Sequence, residues 1–121
     1  MSKRILVVED QEDSRRILRD LLTSANYEIM EAVNGEDALR AAAKQRPDLI
    51  LMDIQLPIMD GYEATRRIKA DPELKKIPVI VVTSYALSGD DSKAHAAGCD
   101  AYVTKPYSPR QLLAKIKEFL P

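Results

Sequence analysis

The chain has 121 residues, 45% of them hydrophobic, which predicts one domain over residues 1–121 with a single apolar core. Its 18 basic and 19 acidic residues nearly cancel, so the overall charge favours neither nucleic acid nor an anionic membrane as a partner. The single cysteine excludes an internal disulfide, and no apolar stretch reaches the roughly 18 residues of a membrane span, so we expect a cytoplasmic protein.

Five short apolar runs alternate with helical patterns along the chain. In order, the runs are residues 5–8, 27–32, 49–52, 79–82 and 101–103. The segments between them repeat apolar residues with the helical period, as in Ile17, Leu18, Leu21 and Leu22. Continuous runs such as the first and the fourth are typical of parallel strands that are covered on both faces. We therefore predict an α/β fold in which five parallel strands and five helices form a three-layer sandwich.

Polar residues follow four of the predicted strands. Glu9 and Asp10 follow the first strand, Asp53 closes the third, Thr83 and Ser84 follow the fourth and Lys105 follows the fifth. Ligands of such sheets bind beyond the carboxyl ends of the strands, where these residues collect. Crowded carboxylates repel one another unless a cation neutralises them, and Mg²⁺ prefers oxygen ligands. We predict a Mg²⁺ site in which Asp10 and Asp53 are direct ligands and Glu9 holds a coordinated water.

The same edge carries groups that stabilise a phosphoryl group in transfer. Lys105 supplies a cation, and Thr83 with Ser84 supplies hydroxyl and backbone donors. Asp53 is the candidate nucleophile, because carboxylates form aspartyl phosphates in phosphotransfer chemistry. Zinc does not fit, since the only histidine, His95, lies in a helical stretch with no second histidine or cysteine placed with it.

Each of these residues also has a purely structural interpretation. Asp10 could cap the following helix, Asp53 could turn the chain, and Lys105 could be a solvated surface charge. The three interpretations are separate, whereas a functional site explains why four strand ends deliver suitable side chains to one edge. The combination therefore favours the functional interpretation.

These residues and their spacing resemble the receiver domain of two-component response regulators, the fold of the chemotaxis regulators. The resemblance covers the whole chain, and the stretches that carry it are ILVVED, DLILMDIQLPIMDG, VIVVTS and YVTKP. It implies a flavodoxin-like sandwich with the strand order 2-1-3-4-5. Residues 51–57 are also similar to the DivK cell-division regulators.

The resemblance implies a role for each acid at the edge. Asp53 is implied as the phosphoacceptor, and Asp10, Asp53 and the backbone carbonyl of Gln55 as Mg²⁺ ligands, with Glu9 one layer further out. The acidic pair is Glu-Asp rather than Asp-Asp, a variant that leaves the direct ligand Asp10 in place. Gln55 and Tyr85 would flank the path of a hydrolytic water, so we expect bulky Tyr85 to slow self-dephosphorylation.

The resemblance also implies a switch. Lys105, Thr83 and the backbone N–H of Ser84 would contact phosphoryl oxygens, and the peptide bond before Pro106 would be cis. Thr83 would move toward the phosphoryl group, and Tyr102 on the fifth strand would rotate into the vacated space. We expect partners to read this change on the face formed by the fourth helix, the fifth strand and the fifth helix, although Tyr102 could also be an ordinary half-buried aromatic residue.

We predict a single-domain response regulator that takes its phosphoryl group from the phosphohistidine of a histidine kinase or a histidine phosphotransfer protein. It would promote its own phosphorylation and dephosphorylation rather than act as an enzyme on another substrate. Its output would pass to a downstream protein, with no nucleic acid or membrane involved, and the chain would be a monomer or, alternatively, a dimer. Because the chain ends at Pro121 directly after a helical pattern, no output module is expected.

Two other classes of protein share parts of this pattern. A non-switching interaction module would keep the fold without the chemistry, and a small-molecule phosphodonor with Mg²⁺ distinguishes it, because only a true receiver gains a phosphoryl group. A flavodoxin-like cofactor binder would need a phosphate-cradling loop after the first strand, where this chain has acidic residues 9–13 instead. Such a binder would be coloured when purified, whereas a receiver is colourless.

Overall fold

Five parallel strands form one sheet with helices on both of its faces. The computed structural model describes residues 2–83 and 96–121. The strands are β1 (Arg4–Val8), β2 (Glu28–Ala32), β3 (Leu49–Asp53), β4 (Val79–Thr83) and β5 (Ala101–Thr104). The described helices are α1 (Glu12–Ser24), α2 (Gly35–Gln45), α3 (Gly61–Ala70) and α4 (Pro109–Phe119). The strand order β2-β1-β3-β4-β5 confirms the prediction, while the helix expected between β4 and β5 falls largely on residues 84–95, outside the described part of the chain.

Each face of the sheet carries its own apolar core, because successive strand residues point to opposite faces. Ile5 of β1 packs in the core that contains Leu22 of α1 and Ile116 of α4. Its neighbour Leu6 packs in the other core, which contains Ile68 of α3. All five of these side chains are fully buried. The two cores confirm the three-layer arrangement and explain why the strand runs are continuously apolar.

The register of the strands brings their carboxyl ends to one level. The pairs nearest these ends are Val8 with Met52, Asp53 with Val82, and Thr83 with Thr104. Glu9 directly follows β1 and Lys105 directly follows β5, so both lie at the same edge as Asp53. The fold therefore places the predicted site residues together through strand pairing alone.

The helix after β1 begins differently from the structural interpretation of Asp10. Its N-cap is Gln11, whose side chain makes no capping hydrogen bond, so the interpretation of Asp10 as the cap is wrong. Asn34 and Asp60 do cap α2 and α3, each accepting a hydrogen bond from the third residue of its helix. Capping therefore accounts for the acid at position 60 but not for the acid at position 10.

The longest described helix, α1, buries only part of its apolar set. Leu18 and Leu22 are buried, whereas Ile17 is 65% exposed. At 3.6 residues per turn, Ile17 lies about 140° around the helix from Leu22, which places it at the edge of the buried face. None of the described helices is long and apolar enough to cross a membrane.

Candidate functional site

Three carboxylates meet beyond the carboxyl ends of β1 and β3. Glu9 and Asp10 follow β1, and Asp53 is the last residue of β3. One carboxylate oxygen from each residue lies within 4.8 Å of the others. Glu9 is only 3% exposed and Asp53 only 8%, so water screens their charges poorly. Because like charges repel in such surroundings, the arrangement favours a bound cation.

The protonation of Glu9 reflects this crowding. Burial raises the pKa of the Glu9 carboxyl above its ordinary value of 4.5, and its hydrogen bond with Asp53 and the negative charge of Asp53 raise it further. The ammonium group of Lys105 acts in the opposite direction. Desolvation and repulsion outweigh that attraction, so one lysine does not fully compensate the acids.

Lys105 points into the cluster rather than into solvent. Its Nζ lies 3.5 Å from Glu9 Oε1 and 3.6 Å from Asp53 Oδ2, and its side chain is 32% exposed. Its backbone N–H donates a 2.7 Å hydrogen bond to the carbonyl oxygen of Thr83, which ties the end of β5 to the end of β4. The peptide bond between Lys105 and Pro106 is cis, as the resemblance implied. The interpretation of Lys105 as a solvated surface charge is therefore wrong.

The donor set at the edge fits Mg²⁺. Within residues 2–83 and 96–121, the three carboxylates form the one group of three or more acid, histidine or cysteine side chains close enough to share an ion. Hard oxygen donors are what Mg²⁺ prefers. Asp53 Oδ1 accepts a 3.4 Å hydrogen bond from the N–H of Gln55, so the chain turns tightly around the Asp53 carboxylate directly after β3. This turn keeps the backbone of Gln55 close to the acids.

A cavity of about 610 Å³ lies between α1 and residues 105–109. Glu9, Asp53 and Lys105 line it together with Tyr107. Burial raises the pKa of the Tyr107 hydroxyl above its ordinary value of 10, and the negative charges of Glu9 and Asp53 add to the effect. The Asp53 side chain therefore borders open space even though little of it is exposed.

Two other predicted site residues belong to β4 and β5. Thr83 ends β4 and is 2% exposed, at the same edge as the acids. Tyr102 lies in β5 and is 41% exposed, so its ring is turned outward in this structure. Ser84, Tyr85 and His95 lie outside the described residues.

Sequence reasoning missed the part that Gly61 plays in the site. A Cβ atom at this position would overlap the carbonyl oxygen of Asp53. The N–H of Gly61 donates a 3.0 Å hydrogen bond to the carbonyl oxygen of Ile54. An Asp-Gly pair such as Asp60-Gly61 commonly marks a turn, but only the folded chain shows that the glycine lets α3 approach the backbone of Asp53.

The sequence of the whole domain matches a known family. The model of the response regulator receiver domain matches residues 5–117. The chain belongs to this family. The polar-differentiation response regulator DivK of Brucella anthropi is 45% identical over 120 residues, which cover 99% of this chain and 98% of that protein. DivK of Brucella melitensis is 43% identical over the same shares, so the similarity predicted from residues 51–57 extends along the full chain.

Solved receiver structures have the same fold. A receiver domain of a sensor histidine kinase from Pseudomonas aeruginosa is 35% identical with a TM-score of 0.93, covering 99% of this chain and 98% of that one. That structure has a magnesium ion coordinated in its active-site cleft. The chemotaxis protein CheY4 of Vibrio cholerae is 27% identical with a TM-score of 0.91, covering 98% and 99% of the two chains. These findings confirm the predicted fold and the predicted function as a response regulator receiver of two-component signalling.

Proposed function

We propose that Asp53 accepts a phosphoryl group from the phosphohistidine of a histidine kinase or a histidine phosphotransfer protein. An Asp53 oxygen forms a bond to phosphorus while the phosphorus–nitrogen bond to the donor breaks. The bonding electron pair leaves on the imidazole nitrogen, which takes up a proton. The observation that carries this proposal is the convergence of two further carboxylates and one ammonium group on the buried Asp53 side chain.

The proposed cofactor is Mg²⁺. Asp10, Asp53 and the backbone carbonyl of Gln55 would hold it, and Glu9 would orient a coordinated water. When bound, the ion neutralises charge on the phosphoryl oxygens. Three oxygen donors within 4.8 Å of one another support this assignment, as does the magnesium ion in the cleft of the Pseudomonas receiver domain.

Lys105 and Thr83 would stabilise the transferred group. The Lys105 ammonium, 3.6 Å from Asp53 Oδ2, is placed to neutralise a phosphoryl oxygen, and the Thr83 hydroxyl would donate to another. The hydrogen bond from the Lys105 N–H to the Thr83 carbonyl keeps the two residues at a fixed spacing. Preorganised groups of this kind lose little energy to rearrangement when the phosphoryl group arrives.

The output of the site would be a change of surface. Thr83 is buried at the end of β4, next to β5, and Tyr102 on β5 is half exposed. Movement of Thr83 toward the phosphoryl oxygens would let Tyr102 rotate inward, altering the face around β5 and α4 that a downstream protein reads. The chain would act as a single-domain cytoplasmic regulator that controls its own phosphorylation and dephosphorylation and acts on no other substrate.

The direct test is phosphorylation by a small-molecule phosphodonor such as acetyl phosphate, with and without Mg²⁺. The parent protein should gain one hydroxylamine-sensitive phosphoryl group, seen by intact mass, only when Mg²⁺ is present. Asp53→Asn should gain none. The matched control is Asp13→Asn, which removes a carboxylate on α1. The Asp13 side chain is 86% exposed, so this variant should be phosphorylated as the parent is. Phosphorylation of Asp53→Asn at the parent rate would refute the assignment.

A further inference from the structure

The side chain of Arg15 reaches from α1 to the backbone of the loop that follows β1 and carries Glu9 and Asp10. Its Nη1 donates a 2.9 Å hydrogen bond to the carbonyl oxygen of Glu9. Its Nε lies 3.1 Å from Glu31 Oε1 on β2, and the Arg15 side chain is only 15% exposed. Arg15 therefore links the loop that follows β1 to the neighbouring strand.

The carbonyl group that Arg15 holds belongs to the peptide unit between Glu9 and Asp10. Because a peptide unit is planar, fixing its oxygen also fixes the direction in which the chain enters Asp10. The N–H of Glu9 donates a 3.1 Å hydrogen bond to the carbonyl oxygen of Ala32 on β2. The backbone of Glu9 is thus held on both sides, by β2 and by Arg15.

Arginine suits this position because its planar guanidinium donates to two acceptors at once. The second acceptor, Glu31, is itself fixed by Arg19. The Nε of Arg19 lies 2.8 Å from Glu31 Oε2, and its Nη2 lies 3.1 Å from Glu31 Oε1. The resulting chain of contacts runs from Arg19 through Glu31 and Arg15 to the carbonyl oxygen of Glu9. At its end this chain of contacts reaches the backbone of Glu9. In the described hydrogen bonds it does not reach the carboxylates of the metal site.

We propose that Arg15 is a positioning residue for the metal site. It holds the peptide unit between Glu9 and Asp10 in the orientation that keeps both carboxylates turned toward Asp53. Without this hydrogen bond the repelling acids move apart by rotation of the peptide unit, and a bound ion must bring them together again. Groups that orient metal ligands in this way commonly raise the affinity for the metal by roughly ten- to a hundredfold. This role rests on the proposed function of the acids as a Mg²⁺ site.

The test is the affinity for Mg²⁺ alone, measured by calorimetry without a phosphodonor. Arg15→Lys keeps the positive charge but removes the two-pronged contact, so a loss of affinity cannot come from net charge. We expect Arg15→Lys to bind Mg²⁺ about tenfold more weakly than the parent. The matched control is Arg19→Lys, which disturbs the same Glu31 carboxylate but not the Glu9 carbonyl, and it should bind nearly as well as the parent.

Phosphorylation kinetics supply a second readout. For Arg15→Lys the Mg²⁺ concentration at half-maximal rate should rise by the same factor, while the rate at saturating Mg²⁺ stays close to that of the parent. If Arg15→Lys does not fold, Glu31→Gln removes the carboxylate that fixes the guanidinium and should show a smaller loss in the same direction. The role of Arg15 would be overturned if Arg15→Lys bound Mg²⁺ as tightly as the parent, or if Arg19→Lys lost as much affinity as Arg15→Lys. Either result would leave the proposed function intact. A parent protein that binds no Mg²⁺ would instead overturn the proposed function.

Discussion

Lys105 and Asp53 form an ion pair at the edge of the sheet, with 3.6 Å between Nζ and Oδ2. The same ammonium group lies 3.5 Å from Glu9 Oε1, so it is shared between two acids. A positive charge at this point partly relieves the repulsion that also favours a divalent cation. In the proposed function, Lys105 and Mg²⁺ would therefore compete for the charge of the acids before phosphorylation, and they would act together only once a phosphoryl group added its own negative charge.

Replacing Lys105 should separate these two effects. In Lys105→Met the acids lose their internal cation, and Mg²⁺ should bind about fivefold more tightly, which corresponds to roughly 1 kcal/mol for partly screened charges. The phosphorylation rate should nevertheless fall roughly tenfold or more, because a phosphoryl oxygen loses its counter-charge. Calorimetry with Mg²⁺ and phosphorylation rates at saturating Mg²⁺ measure the two quantities.

Lys115→Met is the matched control for this experiment. Lys115 pairs with Glu118 on the surface of α4, away from the acids. Its loss should change neither Mg²⁺ affinity nor the phosphorylation rate. Weaker Mg²⁺ binding by Lys105→Met would contradict the competition between the two cations.

Gly61→Ala should damage the site through the backbone. The added Cβ overlaps the carbonyl oxygen of Asp53, so α3 or the end of β3 must move. We expect a loss of about 2 kcal/mol in the free energy of unfolding, measured by urea denaturation. The folded protein should also bind Mg²⁺ more weakly, because Asp53 is displaced.

Gly35→Ala provides the comparison for the effect on the site. A Cβ at Gly35 overlaps Met59 rather than Asp53, so it should destabilise the fold by a similar amount. Mg²⁺ affinity of its folded fraction should stay near that of the parent. If both variants lost the same Mg²⁺ affinity, the close approach of Gly61 to Asp53 would have no specific importance for the site.

The architecture could be predicted from the sequence because its signals are local and strong. The apolar runs at residues 5–8 and 79–82 face two cores and lie within the observed strands β1 and β4. The rule that parallel strands present their carboxyl ends at one edge then brought Glu9, Asp10, Asp53 and Lys105 together without any knowledge of distances. Even the run at residues 27–32, in which polar residues interrupt the apolar ones, contains the observed strand β2.

The rest of the site depends on contacts between residues far apart in the chain. Arg15 is one of several charged residues on α1, and no local pattern separates it from Arg16, which pairs with Asp13 at the surface. Likewise, the closeness of Gly61 to Asp53 arises from how α3 packs, and a glycine after an aspartate indicates only a turn. Helical periodicity groups Ile17 with the buried Leu18 and Leu22 although Ile17 is 65% exposed, because it gives the angle of a side chain but not the width of the buried face.

Ile58 lies in a backbone conformation that does not suit it. Its φ is 71°, in the left-handed region, and its side chain is 76% exposed. A β-branched residue is strained in this region, whereas asparagine tolerates it. Ile58→Asn should therefore raise the free energy of unfolding by about 1 kcal/mol, seen as a higher urea midpoint with an unchanged slope. Ile17→Asn, at an exposed isoleucine inside a regular helix, should give no increase, and equal effects of the two substitutions would show that strain at position 58 is not the cause.

Stability at acid pH should depend on Glu31. The hydrogen bond from Arg19 lowers the pKa of the Glu31 carboxyl below its ordinary value of 4.5. Burial acts in the opposite direction, while the charge of Arg19 and the contact with Arg15 lower the pKa further. The unfolded chain therefore takes up this proton at a higher pH than the folded chain does, and protonation favours unfolding. Glu31 should stabilise the fold fully at neutral pH, by about 1 kcal/mol for a partly exposed network, and lose that contribution as the pH falls below about 4.5. The measurement is the difference in unfolding free energy between the parent and Glu31→Gln, which should shrink in acid and in high salt. A difference that stayed constant from neutral to acid pH would mean that the ion pairs of Glu31 add nothing to stability.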